Sequence, residues 1–130
     1  MSEEAPCPCD PARSYARCCG RWHAGVQHLQ APDAESLMRS RYSAFVLGLG
    51  DYLRDTWHAD TRPAEAIAFE PGLRWLGLEV RRHQAQDADH ATVEFVARCK
   101  HSSGRATRLH ETSRFLRQGG RWFYVDGDTG

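Results

Sequence analysis

Four cysteines stand within thirteen consecutive residues, Cys7-Pro8-Cys9 and Cys18-Cys19, with eight residues between the pairs. No other feature restricts the chain as much. Two thiolates from one tight turn and two from the next can occupy the corners of a tetrahedron, the geometry Zn2+ prefers. Disulfides are the competing use of such a cluster. They belong to oxidising compartments, and exported chains usually open on an apolar signal segment. This chain opens Met1-Ser2-Glu3-Glu4-Ala5-Pro6, acidic and polar. Neighbours such as Cys18 and Cys19 also fit bridge geometry poorly. The longest apolar run, Ala44-Phe45-Val46-Leu47, falls far short of the ~18 residues a membrane span needs.

The expectation is a cytoplasmic protein with reduced thiols, in which Cys7, Cys9, Cys18 and Cys19 hold a structural Zn2+. Four thiolates leave no open position for water or substrate. His23, four residues after Cys19, is a substitute ligand on spacing alone, although a lone histidine is more often a packing residue. The metal with its thiolates would carry a charge of about −2, which Arg13, Arg17 and Arg21 are placed to offset.

A chain of 130 residues is one domain, or one domain with a small appendage. Its 41% hydrophobic content, with four Trp, four Tyr and five Phe, suffices for a core. Residues 1–28 hold few apolar groups and need metal to supply folding free energy; residues 29–130 form the body. Seventeen basic residues balance seventeen acidic ones without a block of either sign. That argues against a broad nucleic-acid footprint, which needs a basic face.

Pro32-Asp33 is a helix start, and Leu37, Met38, Tyr42, Phe45 and Val46 recur at three- and four-residue steps, predicting an amphipathic helix over Ala34–Leu47. Gly48 and Gly50 stop it, and Asp51 can cap a second short helix through Tyr52, Leu53 and Trp57. The period then changes to two. Strands are expected over Leu73–Arg82 (with Leu76, Leu78 and Val80 on one face), Ala91–Lys100, Ala106–Arg117 and Arg121–Asp126, joined by polar or glycine-containing turns. Helices followed by an antiparallel meander give the α+β class.

The segment Cys7-Pro8-Cys9…Cys18-Cys19-Gly20 resembles the SEC-C zinc motif found at the C-terminus of the SecA ATPase and in many small bacterial proteins. The blocks "CCGRWHAG", "APDAESLMRSRYSAFVLGLGDYLRDTWHADTRP" and "LHETSRFLRQGGRWFYVDGD" extend the likeness to the YchJ-like family over nearly the whole chain. Two departures stand out: Asp10-Pro11-Ala12 replaces the family's usual Gly-Ser-Gly, and the chain reaches Gly130 without the second cysteine motif of some relatives. The resemblance implies an NTF2-like cone, a curved antiparallel sheet wrapped on N-terminal helices, preceded by a SEC-C zinc knot. It also implies a function. SecA's own element contacts a partner chaperone and the ribosome, so the knot is expected to be a protein- or ribosome-docking module, with Arg13, Arg17, Arg21 and Trp22 as its surface. Cones of this kind often dimerise, which makes a homodimer an expectation.

The alternative function lies in the cone. On the strand around Leu109, the residues Leu109, Glu111, Ser113 and Phe115 share a face, so Glu111 is a carboxylate on the core side. Such a charge is costly unless paired. It is either the general base or anchoring acid of a small-molecule or isomerase/dehydratase-like site, or half of a buried Arg–Glu pair. Arg39 and Arg41 are the available partners, and Trp57, His58, Tyr124 and Asp126 lie at element ends that reach the same rim. The sequence leans away from an enzyme, since no Ser-His-Asp order, phosphate loop or metallohydrolase histidine pair is present. The odd cysteine, Cys99, reads as structural, and His28, His83, His90 and His101 as solvated.

Overall fold

The computed structural model describes residues 5–129; the polar Met1–Glu4 segment and Gly130 lie outside them. Strands β1 (Pro6–Cys7) and β2 (Asp10–Ser14) form a small hairpin, followed by a 3-10 turn over Tyr15–Arg17 and the short helix α1 (Gly20–His23). Then come α2 (Ala34–Leu47), α3 (Gly50–Asp55) and four long strands, β3 (Leu73–Ala85), β4 (His90–His101), β5 (Ala106–Gln118) and β6 (Arg121–Thr129). The four pair in the order β3-β4-β5-β6, all antiparallel. This curved sheet against helices is the α+β cone expected from the sequence.

Helix α2 begins where the sequence places it. Asp33 Oδ1 accepts the Ser36 amide at 2.7 Å, and Gly48, at φ 72°, closes the other end with its amide on the Ala44 carbonyl. Both ends are therefore satisfied by local side-chain and left-handed backbone chemistry. One face of α2 buries Leu37, Met38 and Tyr42; another buries Ser40 and Ser43. Hydroxyl groups fully inside a protein need partners, and these two find theirs in the N-terminal knot and in α3. The helix is thus enclosed on two sides, by the sheet and by the knot.

Helix α3 differs from expectation. Its N-cap is Leu49, without a side-chain cap, and Asp51 sits in the first turn. Trp57 lies beyond the helix: the segment Thr56–His58 runs alongside β6, with Tyr124 N donating to Thr56 O and His58 N to Tyr124 O, each at 2.8 Å.

Three bulges interrupt the sheet, at Leu76 and Arg81 in β3 and at Val125 in β6, and the first and last of them set which side chains face the helices. In β3, Trp75 pairs with Cys99 and Gly77 with Arg98, so Leu76 is an extra residue. The alternation shifts there, placing Trp75, Leu78 and Val80 toward the core and leaving Leu76 41% exposed. The expected grouping of Leu76 with Leu78 and Val80 is corrected by that bulge. In β6 the extra residue is Val125, since Arg114 pairs with Asp126 and Phe115 with Tyr124. It brings Tyr124 onto the same face as Phe115. Between β5 and β6, Gly119 and Gly120 both have positive φ (61° and 79°), the two-residue turn that matches strand twist.

Candidate metal centre and cone cavity

The hairpin β1–β2 and the start of α1 bring all four N-terminal cysteines together, each buried, with their sulfurs within 4.8 Å of one another. Sγ of Cys9 lies 3.6 Å from those of Cys7, Cys18 and Cys19, and Cys18 and Cys19 are 4.0 Å apart. A tetrahedral ion with metal–sulfur bonds of about 2.3 Å needs sulfurs about 3.8 Å apart. The cluster already has those dimensions. Asp10-Pro11-Ala12 does not disturb it, because Asp10 Oδ1 accepts the Ala12 amide at 3.0 Å and its side chain fixes the segment.

Hydrogen bonds from Cys19 and Cys9 draw the Cys7 thiol far below the usual thiol range, while bonds to Cys7 and Cys9 push Cys19 far above it. A divalent cation bound by these four sulfurs would take thiolates and release the thiol protons. Around the sulfurs, Ser43 Oγ on α2 donates to Cys19 Sγ at 3.2 Å and stands 3.6 Å from Cys7 Sγ. Ser43 was not visible as a site residue in the sequence; its only signal was a small polar residue three positions after Ser40, on the same helical face.

His23 is not among the ligands. Its Nδ1 is 2.6 Å from Tyr15 OH and its Nε2 is 2.8 Å from the Ser40 carbonyl, so both nitrogens are engaged, and burial lowers its pKa. A carbonyl only accepts, which makes Nε2 the protonated nitrogen and Nδ1 the acceptor. The basic residues are also arranged differently from expectation. Arg13 pairs with Asp10 at 3.5 Å, and Arg21 donates to the Cys18 carbonyl and stacks 4.4 Å over Trp22. Trp22 is only 6% exposed, so it packs the knot and offers no aromatic surface. The arginine that approaches the cluster is Arg39. Burial opposes its charge, but hydrogen bonds to Glu35 and Cys9 outweigh that and raise its pKa.

A second feature lies between α2 and the concave side of the sheet, a cavity of about 310 Å3. Its walls are largely aromatic, with Tyr42 and Phe45 from α2, Trp57 beyond α3, and Trp75, Phe95 and Phe115 from the strands. Four polar residues join them: Arg41, Glu111, Ser113 and Tyr124. Of the residues singled out from the sequence, Glu111, Arg41, Trp57 and Tyr124 therefore meet at one site. Arg39 does not, because it projects toward Glu35 and Cys9. His58 does not line the cavity either: its Nε2 is held 2.8 Å from Gln118 Oε1, and its Nδ1 accepts the Asp60 amide. Asp126 is paired with Arg114 outside.

Arg41 is 6% exposed, and its Nη1 donates to the Leu53 carbonyl and to Thr56 Oγ1 at 2.8 and 2.7 Å. Its guanidinium stacks over Tyr124 (4.5 Å) and Trp57 (5.3 Å), and burial pushes its pKa down to about 10. Glu111 accepts from Ser113 Oγ at 2.6 Å and from Tyr124 OH at 3.4 Å, both on Oε2. Burial, with the charge of Glu111 next, raises Tyr124 to about 12. The direct Arg–Glu ion pair that one sequence reading required is not made; the two charges act on each other through space. Opposite Ser113 stands Gly127, and the Glu111 carboxylate lies where a side chain at 127 would be.

Among the remaining residues, Cys99 bonds Thr107 on the adjacent strand at 3.3 Å. His28, His83 and His90 are exposed, and His101, partly buried, contacts Glu70. No described helix is long and apolar enough to cross a membrane.

Residues 33–127 match the model of the YchJ middle NTF2-like domain. The chain belongs to the YchJ-like family. It is 62% identical over 127 residues to a UPF0225 protein of Bordetella parapertussis, covering 98% of this chain and 95% of that one. A UPF0225 protein of Methylibium petroleiphilum is 61% identical over 128 residues, with 98% and 92% covered. Among solved structures, a SEC-C motif containing protein from Rhodopseudomonas palustris superposes with a TM-score of 0.79 at 30% identity, over 96% of this chain and 98% of that one. A second, from Psychrobacter arcticus, gives 0.76 at 29% identity, over 100% and 86%. The two SEC-C motif structures share the fold of this chain across both the cysteine cluster and the cone.

Proposed function

We propose that the cone binds a small, largely apolar molecule, and that the cysteine cluster holds a structural Zn2+ which fixes one wall of the binding site. The observation carrying this reading is Glu111: a carboxylate facing an aromatic cavity, bonded to two hydroxyl groups and locked on no arginine. Concave, mostly apolar pockets with a few convergent polar groups are where small ligands bind. Zinc is favoured by four thiolates at tetrahedral spacing, and a closed tetrathiolate site is a structural one. We place binding rather than turnover in the cone, because the two hydroxyls beside Glu111, those of Ser113 and Tyr124, are both held on its Oε2.

Protein docking through the knot has less support. Of its expected surface, Trp22 is buried and offers no aromatic anchor, while Arg13, Arg17 and Arg21 remain exposed, Arg13 beside Asp10 and Arg21 over Trp22. A cytoplasmic location goes with reduced thiols and is part of the same proposal.

The test is a fragment screen read by amide NMR. Small aromatic molecules are expected to shift resonances of Phe95, Ala97, Leu109 and Phe115, which line the cavity. Ala97→Phe should fill the space and abolish those shifts, with Ala97→Leu as the milder variant; circular dichroism and metal content report that the fold persists. Shifts confined to Arg13–Arg21, or none at all, would sink the proposal.

A further inference from the structure

The cavity also specifies the chemistry of what fits it, an inference resting on the binding reading above. The two donors on Glu111, Ser113 Oγ and Tyr124 OH, share Oε2. Among the described residues no protein donor bonds Oε1, and the only sealed polar side-chain atoms without partners are Trp57 Nε1 and Arg121 Nε. Oε1 is therefore neither bonded nor enclosed, and because Glu111 lines the cavity this oxygen is the acceptor it has left to offer a guest. Uptake of an apolar molecule with no donor would strip water from a carboxylate oxygen without replacement, at substantial cost.

Charge narrows the class further. Aromatic walls with one carboxylate are the composition of an ammonium site. Here an internal cation already takes that place, since Arg41 covers the faces of Tyr124 and Trp57 at 4.5 and 5.3 Å. An anion is no better matched. It would meet Arg41, of which Nη1 alone is engaged, by Leu53 O and Thr56 Oγ1, but it would also meet the repulsion of Glu111 in the same lining. One guanidinium and one carboxylate in the same lining leave it without net charge.

We propose that the cavity selects an uncharged, flat, mostly apolar molecule whose edge presents one O–H or N–H donor to Glu111 Oε1.

Four probes of matched shape test this on the metal-loaded full-length chain: p-cresol, p-xylene, 4-methylbenzylammonium and 4-methylbenzoate, titrated by calorimetry with amide NMR locating the site. p-Cresol should bind about tenfold or more tighter than p-xylene, the gain for a hydrogen bond to a charged acceptor, and both ions should bind more weakly than p-cresol. Glu111→Met should bring the two probes to the same level, p-cresol losing its hydrogen bond and p-xylene no longer stripping water from a carboxylate. Glu111→Gln, which keeps the shape, serves if the first variant does not fold, and is expected to give an intermediate loss. Equal binding of p-xylene and p-cresol to the unmodified chain overturns the donor while leaving cavity binding intact. Tighter binding of either ion overturns the neutral class. Absence of cavity-centred shifts with all four probes overturns the binding reading itself.

Discussion

Ser43 joins the cysteine cluster to helix α2 through a single hydroxyl, 3.2 Å from Cys19 Sγ. Groups that bond to metal ligands from outside tune the site almost as strongly as the ligands do. Ser43→Ala should therefore weaken metal binding by about tenfold, measured by competition with a chromogenic chelator. Unchanged affinity would show that the hydroxyl only fills space. A second side-chain effect is expected opposite Ser113. Gly127→Ala places a methyl where the Glu111 carboxylate lies, so the carboxylate must move and lose its bonds to Ser113 and Tyr124. A loss of about 1–3 kcal/mol in denaturant unfolding is expected. How far single residues were legible follows from helical geometry. Arg39 and Arg41 looked equivalent as partners for Glu111, yet residues two apart face different ways on a helix. Arg41 is four beyond Leu37 and three beyond Met38, on the core side, whereas Arg39 is four beyond Glu35 and pairs with it. That periodicity was present in the sequence. The hydroxyl chemistry of Ser43 was not, because serine is usually a surface residue and nothing local marks it; alternation put Ser113 on the face of Glu111 without naming it as the partner of that carboxylate.

Helix α2 connects the cysteine cluster and the cavity: Ser40 and Ser43 face the knot and α3, and Met38, Arg41, Tyr42 and Phe45 face the cone. Chelating the metal should free one side of this helix while the sheet, whose ladders are self-contained, stays intact. Hydrogen exchange should then show α2 amides losing protection and those of β4 and β5 retaining it. Equal loss in both would mean the knot supports the whole fold and not one wall. The element inventory itself was readable, since caps and turns carry sequence signatures: Asp33 and Gly48 bound α2, and Gly119-Gly120 closes the last hairpin. The bulges were not. Leu76 and Val125 are ordinary β-formers, and the pairing that makes each of them extra is settled by strands elsewhere in the chain. Hence the face of β3 was misassigned from alternation, and Tyr124 reached the cavity by a shift no local pattern announces.

For the molecule as a whole, alkaline pH is the informative perturbation. Tyr52 and Tyr124 are both raised from 10 to about 12, chiefly by burial. Below pH 10 folded and unfolded chains both keep these phenolic protons, and the stabilisation is complete. Between pH 10 and 12 the unfolded chain ionises first, so stability falls as pH rises through that window. The denaturation midpoint should drop there, and Tyr124→Phe should make the drop shallower; a flat profile would contradict the burial of these phenols. The sheet that surrounds them has a further consequence, in time rather than in energy. Every ladder of the cone joins strands adjacent in the chain, β3 to β4, β4 to β5 and β5 to β6. Each can close through a short connection without waiting for a distant segment, which favours rapid folding. The knot meets α2 over a comparable span, with Ser43 twenty-four residues after Cys19. What joins helices to sheet is the long-range step, His58 meeting Gln118 sixty residues away, so the topology favours a meander that zips first and a helical wall that closes the cone last.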